Sequence, residues 1–333
     1  MKKHTRAIAY SLAALLLATA LGLYLYTPPT IHRIPSDPAK LDNITFYALG
    51  DQGSGGIHQW AVSHAMEKLA ERSRKIDFVV LLGDNFYSGK KLTLHSSEWI
   101  SKFEEMYSGN YLSAVPFYAV LGNHDPAVAA KDSNVEIEYS KKHLGSNRWR
   151  MPQTYYSSDF GRVNGRPLLR IVFLDTNLDR ENLLKEADYI RRQFSDAAND
   201  PVWRVVAGHH PVRTYGKHYG QDREKAAILL AAMQDAHVDV YLSGHDHNQQ
   251  VIARGGEPVQ IVNGAGGAKT YPMKKQSPDL RFFRADHGFV GLSMNAANLN
   301  IDFYDTNPTA VASYKIDRQC TRAQASCLQK TLQ

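Results

Sequence analysis

Residues 78–85 read Phe78-Val79-Val80-Leu81-Leu82-Gly83-Asp84-Asn85, an apolar run that stops at a glycine and is followed at once by polar donors. A run this short, bounded by glycine, predicts a strand buried on both faces. The same order of apolar strand, glycine and metal-competent side chain recurs four more times. Phe46 to Gly50 leads into Asp51, Phe117 to Gly122 into Asn123, Val205 to Gly208 into His209, and Val240 to Gly244 into His245-Asp246-His247. Segments of helical period lie between the strands. Ile57, Trp60, Ala61, Ala65 and Leu69 form one predicted stripe, and Leu183, Leu184, Ala187, Ile190 and Phe194 another. Strands alternating with helices predict an α/β fold with helices on the sheet faces. Ligands of such sheets bind outside the carboxyl ends of the strands, so the five donor positions are predicted to converge on one crevice.

Taken singly, each donor has an ordinary explanation, because Asp and Asn after a strand are common turn residues. Together, two Asp, one Asn and three His form a set of hard-to-borderline N and O donors suited to iron, zinc or manganese rather than calcium or copper(I). Other chemistries lack their motifs. The sequence has no H-E-x-x-H and no G-x-S-x-G, and Gly264-Ala265-Gly266-Gly267-Ala268-Lys269-Thr270 has alanine where a phosphate loop needs its second glycine. The two cysteines, Cys320 and Cys327, are too few for a thiolate zinc site.

Composition sets the outer bounds. With 333 residues, 43% hydrophobic and 22% charged, the chain is an ordinary globular protein rather than a disordered or multi-span membrane one. Three of its six net positive charges, Lys2, Lys3 and Arg6, precede an uncharged apolar stretch at residues 7–26. That pattern predicts export, with residues 1–30 acting as a signal peptide or as a retained membrane anchor through residues 7–26. Twenty apolar residues suffice for an anchor, while Ala18-Thr19-Ala20 offers a cleavage site, and both alternatives stay open. An oxidising compartment would allow a Cys320–Cys327 disulfide. No run of five like charges occurs, so no nucleic-acid partner is expected. The predicted organisation is a linker at 31–41, a catalytic domain at 42–318 and a C-terminal tail at 319–333.

The motif series resembles the calcineurin-like metallophosphoesterases. Its members are Gly50-Asp51-Gln52-Gly53, Gly83-Asp84-Asn85, Gly122-Asn123-His124-Asp125, Gly208-His209-His210-Pro211 and Gly244-His245-Asp246-His247. Asp84-Asn85-Phe86-Tyr87, with glycine at position 53, is more narrowly similar to the purple acid phosphatases, and closest to their small tartrate-resistant type. The resemblance runs from about residue 44 to residue 316.

It implies a two-sheet β-sandwich flanked by helices. It also implies one metal held by Asp51, Asp84, Tyr87 and His247 and a second held by Asp84, Asn123, His209 and His245, with Asp84 as the bridge. His124 and His218 fall where relatives contact phosphate and the leaving group. The implied cofactors are two metal ions, Fe(III) with Fe(II), Zn or Mn, and the implied reaction is in-line attack of a metal-bound hydroxide on a small phosphomonoester. The long exposed loop that restrains the small acid phosphatases is missing after Asp175-Thr176-Asn177, where a helix begins almost at once. Two alternatives remain: a phosphodiesterase or nucleotide phosphohydrolase on the same site, and a non-catalytic surface binding protein.

Overall fold

The structure is a computed structural model that describes residues 37–87, 91–125, 134–320 and 327–332. The predicted export segment and the anchor through residues 7–26 lie outside the described residues. In chain order the elements are β1 Ile44–Leu49, α1 Ile57–Ser73, β2 Phe78–Leu81, β3 Phe117–Ala119, α2 Val135–Lys141, β4 Trp149–Arg150, β5 Tyr156–Val163 and β6 Arg166–Phe173. They continue as α3 Arg180–Gln193, β7 Trp203–Ala207, α4 Arg223–Asp235, β8 Val240–Ser243, β9 Gln249–Ile252, β10 Val259–Asn263, β11 Leu280–Arg284, β12 Phe289–Met294, β13 Asn298–Tyr304, β14 Ala310–Asp317 and β15 Leu328–Lys330.

The strands form two mixed sheets, ordered β15-β14-β13-β12-β1-β2-β3-β4 and β11-β9-β10-β8-β7-β6-β5. β1 to β4 pair in parallel, as do β6, β7, β8 and β10. The alternation of side chains along the second sheet explains its unbroken apolar strands. Leu169, Ile171 and Phe173 of β6, Val205 and Ala207 of β7, and Val240 and Leu242 of β8 face the core shared with the first sheet. Their neighbours Val172, Val206 and Tyr241 point the other way, into a second core under α3 and α4 with Leu183, Ile190, Leu229 and Met233. Each of these strands is therefore covered on both faces, and the chain is the helix-flanked sandwich that the resemblance implies. The closely spaced apolar runs at 288–294, 299–304 and 311–316 form an antiparallel extension of the first sheet through β12 to β14.

Two expectations need correction. The apolar stripe predicted for α1 is out of phase, because Ile57 and Trp60 are 67% and 51% exposed while Gln59, Val62, Ser63, Ala65, Met66 and Ala70 are buried. The polar residue goes inside because it has partners there. Gln59 accepts from Gly55 N at 2.8 Å and donates to Lys102 O at 2.9 Å, which satisfies backbone groups that would otherwise be buried unpaired. In α3, Leu183, Ala187, Ile190 and Phe194 are buried as predicted and Leu184 is 39% exposed. Nor is all of the stretch 319–333 a loose tail. β15 pairs with β14 at the edge of the first sheet, and Cys320 and Cys327 are joined in a disulfide with Cα atoms 5.7 Å apart. Among the described residues, no helix is long and apolar enough to cross a membrane.

Candidate metal centre

The carboxyl ends of the two sheets are stitched to each other by main-chain contacts. Gly50 N donates to Asn263 O at 2.8 Å and the Asn263 side chain donates to Ala48 O at 2.9 Å, joining β1 of the first sheet to β10 of the second, while within the second sheet Gly244 N donates to His209 O at 3.0 Å. Turns this tight carry strain. Asp51, Asp84 and His245 adopt left-handed backbone conformations at φ 57°, 53° and 65°, an arrangement that costs non-glycine residues about 1–2 kcal/mol each and that clusters at functional sites. Gly122 shows how close the segments come. A Cβ there would lie 2.1 Å from Asp84 N and 2.2 Å from Asp84 Oδ1, so any side chain would displace the carboxylate.

The five strand ends bring the predicted donors into two adjoining groups. In the first, Tyr87 Oη lies 3.0 Å from Asp51 Oδ1, 2.9 Å from Asp84 Oδ2 and 3.2 Å from His247 Nε2. His247 Nε2 is itself 3.1 Å from Asp51 Oδ1. Donor atoms about 3 Å apart are the edges expected of a polyhedron with metal bonds of about 2.0–2.2 Å. In the second, His209 Nε2 lies 3.0 Å from Asn123 Oδ1, 3.2 Å from His245 Nδ1 and 3.5 Å from Asp84 Oδ1. Asp84 thus offers one oxygen to each group.

The donor chemistry fits cations. His209 Nδ1 sits 2.8 Å from Leu82 O and His247 Nδ1 sits 2.8 Å from Lys269 O, so each of these nitrogens donates to a carbonyl and leaves Nε2 as the lone pair facing the centre. Without a cation, the carboxylates and lone pairs crowd one another. Burial and the Asp51 charge push the Asp84 carboxyl up. Burial also works against ionising Asp51, yet its contacts with His247, His209 and Tyr87 outweigh that and hold it below the usual carboxylate range. Burial, then the two carboxylates, pushes the Tyr87 phenol far up, whereas burial and the surrounding imidazoles keep His245 neutral. His247 runs the other way, since Asp51 overcomes its burial and raises it.

The remaining candidates flank these groups. His124 donates its backbone N–H to Asp84 Oδ1 at 2.8 Å, and its exposed ring lies 4.9 Å from that of Tyr87. His218 stacks on His245 at 4.1 Å, with Nδ1 3.5 Å from the buried Asp246 Oδ1. Asp125 accepts from Gly122 N at 2.8 Å and Phe86 N at 3.0 Å, bracing both the Asp84 and the Asn123 turns, and burial with the Asp84 charge pushes its carboxyl up to about 7.

His210 is fixed through its backbone, its N–H donating to Thr176 Oγ1 at 2.9 Å and its carbonyl accepting from Tyr241 Oη at 2.6 Å. The place of its ring was not foreseen: it stands 4.4 Å from that of His245, and its metal-competent nitrogens group with those of His209 and His245. Thr176 Oγ1, 2.8 Å from His210 Nδ1, fixes that ring, while burial followed by the His209 charge pushes it down to about 3. Tyr271 was also missed, and it stacks on His247 at 4.3 Å. The His-His-Pro doublet was the only local signal for His210, and nothing near Tyr271 in sequence marks it.

Comparison with known proteins shows the family. Residues 44–249 match the calcineurin-like phosphoesterase family, and residues 257–313 match the iron/zinc purple acid phosphatase-like protein C family. Purple acid phosphatase 3 of Arabidopsis thaliana is 30% identical over 291 residues, which cover 80% of this chain and 76% of the relative. Tartrate-resistant acid phosphatase type 5 of Homo sapiens is 26% identical over 316 residues, covering 85% and 94%. A solved structure described as GAP50, the anchor in the inner membrane complex of Plasmodium, superposes with a TM-score of 0.72 at 25% identity, covering 83% of this chain and 89% of that one.

Proposed function

The chain belongs to the calcineurin-like phosphoesterase family, on its purple acid phosphatase branch, and we propose that it is an exported acid phosphatase hydrolysing phosphomonoesters at a dinuclear metal centre. The observation that carries this reading is the convergence of seven donors from both sheets on two groups that share Asp84. Asp51, Asp84, Tyr87 and His247 would hold one ion, and Asp84, Asn123, His209 and His245 the other. Tyr87, an anionic oxygen donor once ionised, favours Fe(III) in the first site, with Fe(II), Zn or Mn in the second. Bound there, two cations neutralise phosphate charge and acidify water into a nucleophile.

The protein's own groups do the rest. The His124 N–H holds the Asp84 carboxylate in its bridging orientation, and the His124 ring stands at the mouth, where a proton for the leaving alkoxide is needed. His218, backed by Asp246 and stacked on His245, flanks the opposite group and is proposed to contact phosphate or the leaving group. The catalytic domain is proposed to span 42–318. The Cys320–Cys327 disulfide and the charge pattern of Lys2 to Tyr26 support export.

A complete donor set favours an enzyme over a surface binding protein, even with a membrane-complex anchor among the structural neighbours. Metal analysis and a substrate pair test the proposal together. Purified protein reconstituted with iron and zinc is expected to bind two ions per chain and to hydrolyse an aryl phosphomonoester faster than the matching diester. One ion or none would remove the dinuclear reading. Diester preference would replace phosphomonoesterase with phosphodiesterase, and no turnover of either ester would leave a binding protein.

A further inference from the structure

A cleft of about 480 Å³ opens from His245 and His218 and runs between the segment 210–223 and α4. Its inner end is therefore the second donor group, and any ester whose phosphate sits there must send its leaving group along the cleft or out into solvent. One wall is built from a single face of α4. Arg223, Ala226, Ala227 and Leu230 recur at helical spacing, and the two alanines leave room for a bound group. Tyr219, 37% exposed and stacked at 5.8 Å on Tyr215, offers a ring at the other wall.

The charge of the cleft is one-sided. Three guanidinium groups line it, those of Arg213, Arg223 and Arg254, against the single carboxylate of Asp222. Arg213 is committed, because both of its forked nitrogens bind Glu257. That contact also occupies the Glu257 carboxylate; Arg254 pairs loosely with Glu257 at 3.7 Å and with Asp279 at 3.9 Å, and keeps half of its side chain exposed. Arg223 has no ion-pair partner among the described residues, and its guanidinium lies against Gly220.

We propose that this cleft receives the leaving group, and that Arg223 and Arg254 select phosphomonoesters whose leaving group joins an aromatic or apolar body to a second anionic group. The assignment rests on the phosphatase reading above and names its substrate class. Two partly exposed charge contacts of this kind are expected to favour an anionic leaving group about three- to tenfold.

The test compares 4-carboxyphenyl phosphate with 4-carbamoylphenyl phosphate, two esters of similar size whose leaving groups differ in charge. With the metal-loaded enzyme at low ionic strength, the kcat/KM ratio should favour the carboxylate about three- to tenfold and fall towards one as salt screens the contact. Arg223→Glu should invert the ratio, and Arg223→Gln with Arg254→Gln should bring it near one. A wild-type ratio near one, or a preference that survives both the salt and the substitutions, overturns the selection by these arginines. Hydrolysis of neither ester would overturn the phosphatase reading itself, so the two failures are distinct.

Discussion

Tyr87 is placed to do more than fill space, since its hydroxyl touches Asp51, Asp84 and His247 at once. An iron-loaded protein should therefore show a visible charge-transfer band that Tyr87→Phe abolishes while circular dichroism stays native. An oxidised, iron-replete wild type without colour would dismiss Tyr87 as a donor. Gly53 makes this contact available. A Cβ at 53 would fall 2.1 Å from Asn85 O, and the glycine instead lets Tyr87 N bond Gly53 O at 3.0 Å. His124 invites a second substitution. Alkyl phosphates expel strongly basic alkoxides that need a proton, whereas nitrophenyl phosphate hardly does. General acid catalysis is typically worth about 10² to 10⁴ in rate, so His124→Ala should cost that much in kcat on alkyl esters and far less on aryl ones. Metal content should be unchanged. Equal losses on both ester classes would move the proton donor to His218.

Where β6 hands over to α3, a buried acid pair gives the element a pH signature. Glu186 accepts from Asp175 N at 3.1 Å, and burial with the Asp175 charge pushes its carboxyl up to about 10, against about 4.3 for an exposed glutamate. The folded chain thus keeps a proton that the unfolded chain releases once pH passes about 4. Stability is full below that point and falls as pH rises towards the folded value, by at most about 1.4 kcal/mol per unit. Glu186→Gln cannot titrate, so it should gain on the wild type by up to about 4 kcal/mol between pH 5 and pH 8 in denaturant unfolding. A difference that does not change with pH would mean that Glu186 is ionised in the fold. The strands of the centre were legible because burial on both faces writes an unbroken apolar run, and five of the donors because each directly follows a glycine. Which sheet each strand joins was not legible, since the carboxyl ends of β1 to β3 and of β7 and β8 read alike. The face of α1 was misread because Gln59 is buried by partners at Gly55 and Lys102, more than forty positions away in the latter case. His210 escaped notice because Thr176, which orients it, comes from the end of another strand.

Across the molecule, the strands after β11 close the first sheet, and the Cys320–Cys327 bond lies between its last two members. A short disulfide loop is worth about 2–3 kcal/mol on the chain-entropy view. Cys320→Ser with Cys327→Ser should therefore lower the melting temperature by a few degrees and leave kcat almost unchanged, because the bond lies at the sheet edge and contributes nothing to the donor groups. An equal loss of activity at temperatures well below melting would show that the edge is coupled to the centre. The donors themselves come from both halves of the sandwich: Asp51, Asp84 and Asn123 follow strands of one sheet, while His209, His245 and His247 follow strands of the other. Neither half owns a centre. A newly made chain with only one sheet in register has nothing to hydrolyse with, so it stays silent until the second sheet has formed against the first. Turnover then counts only finished molecules, those in which the two halves have closed on each other.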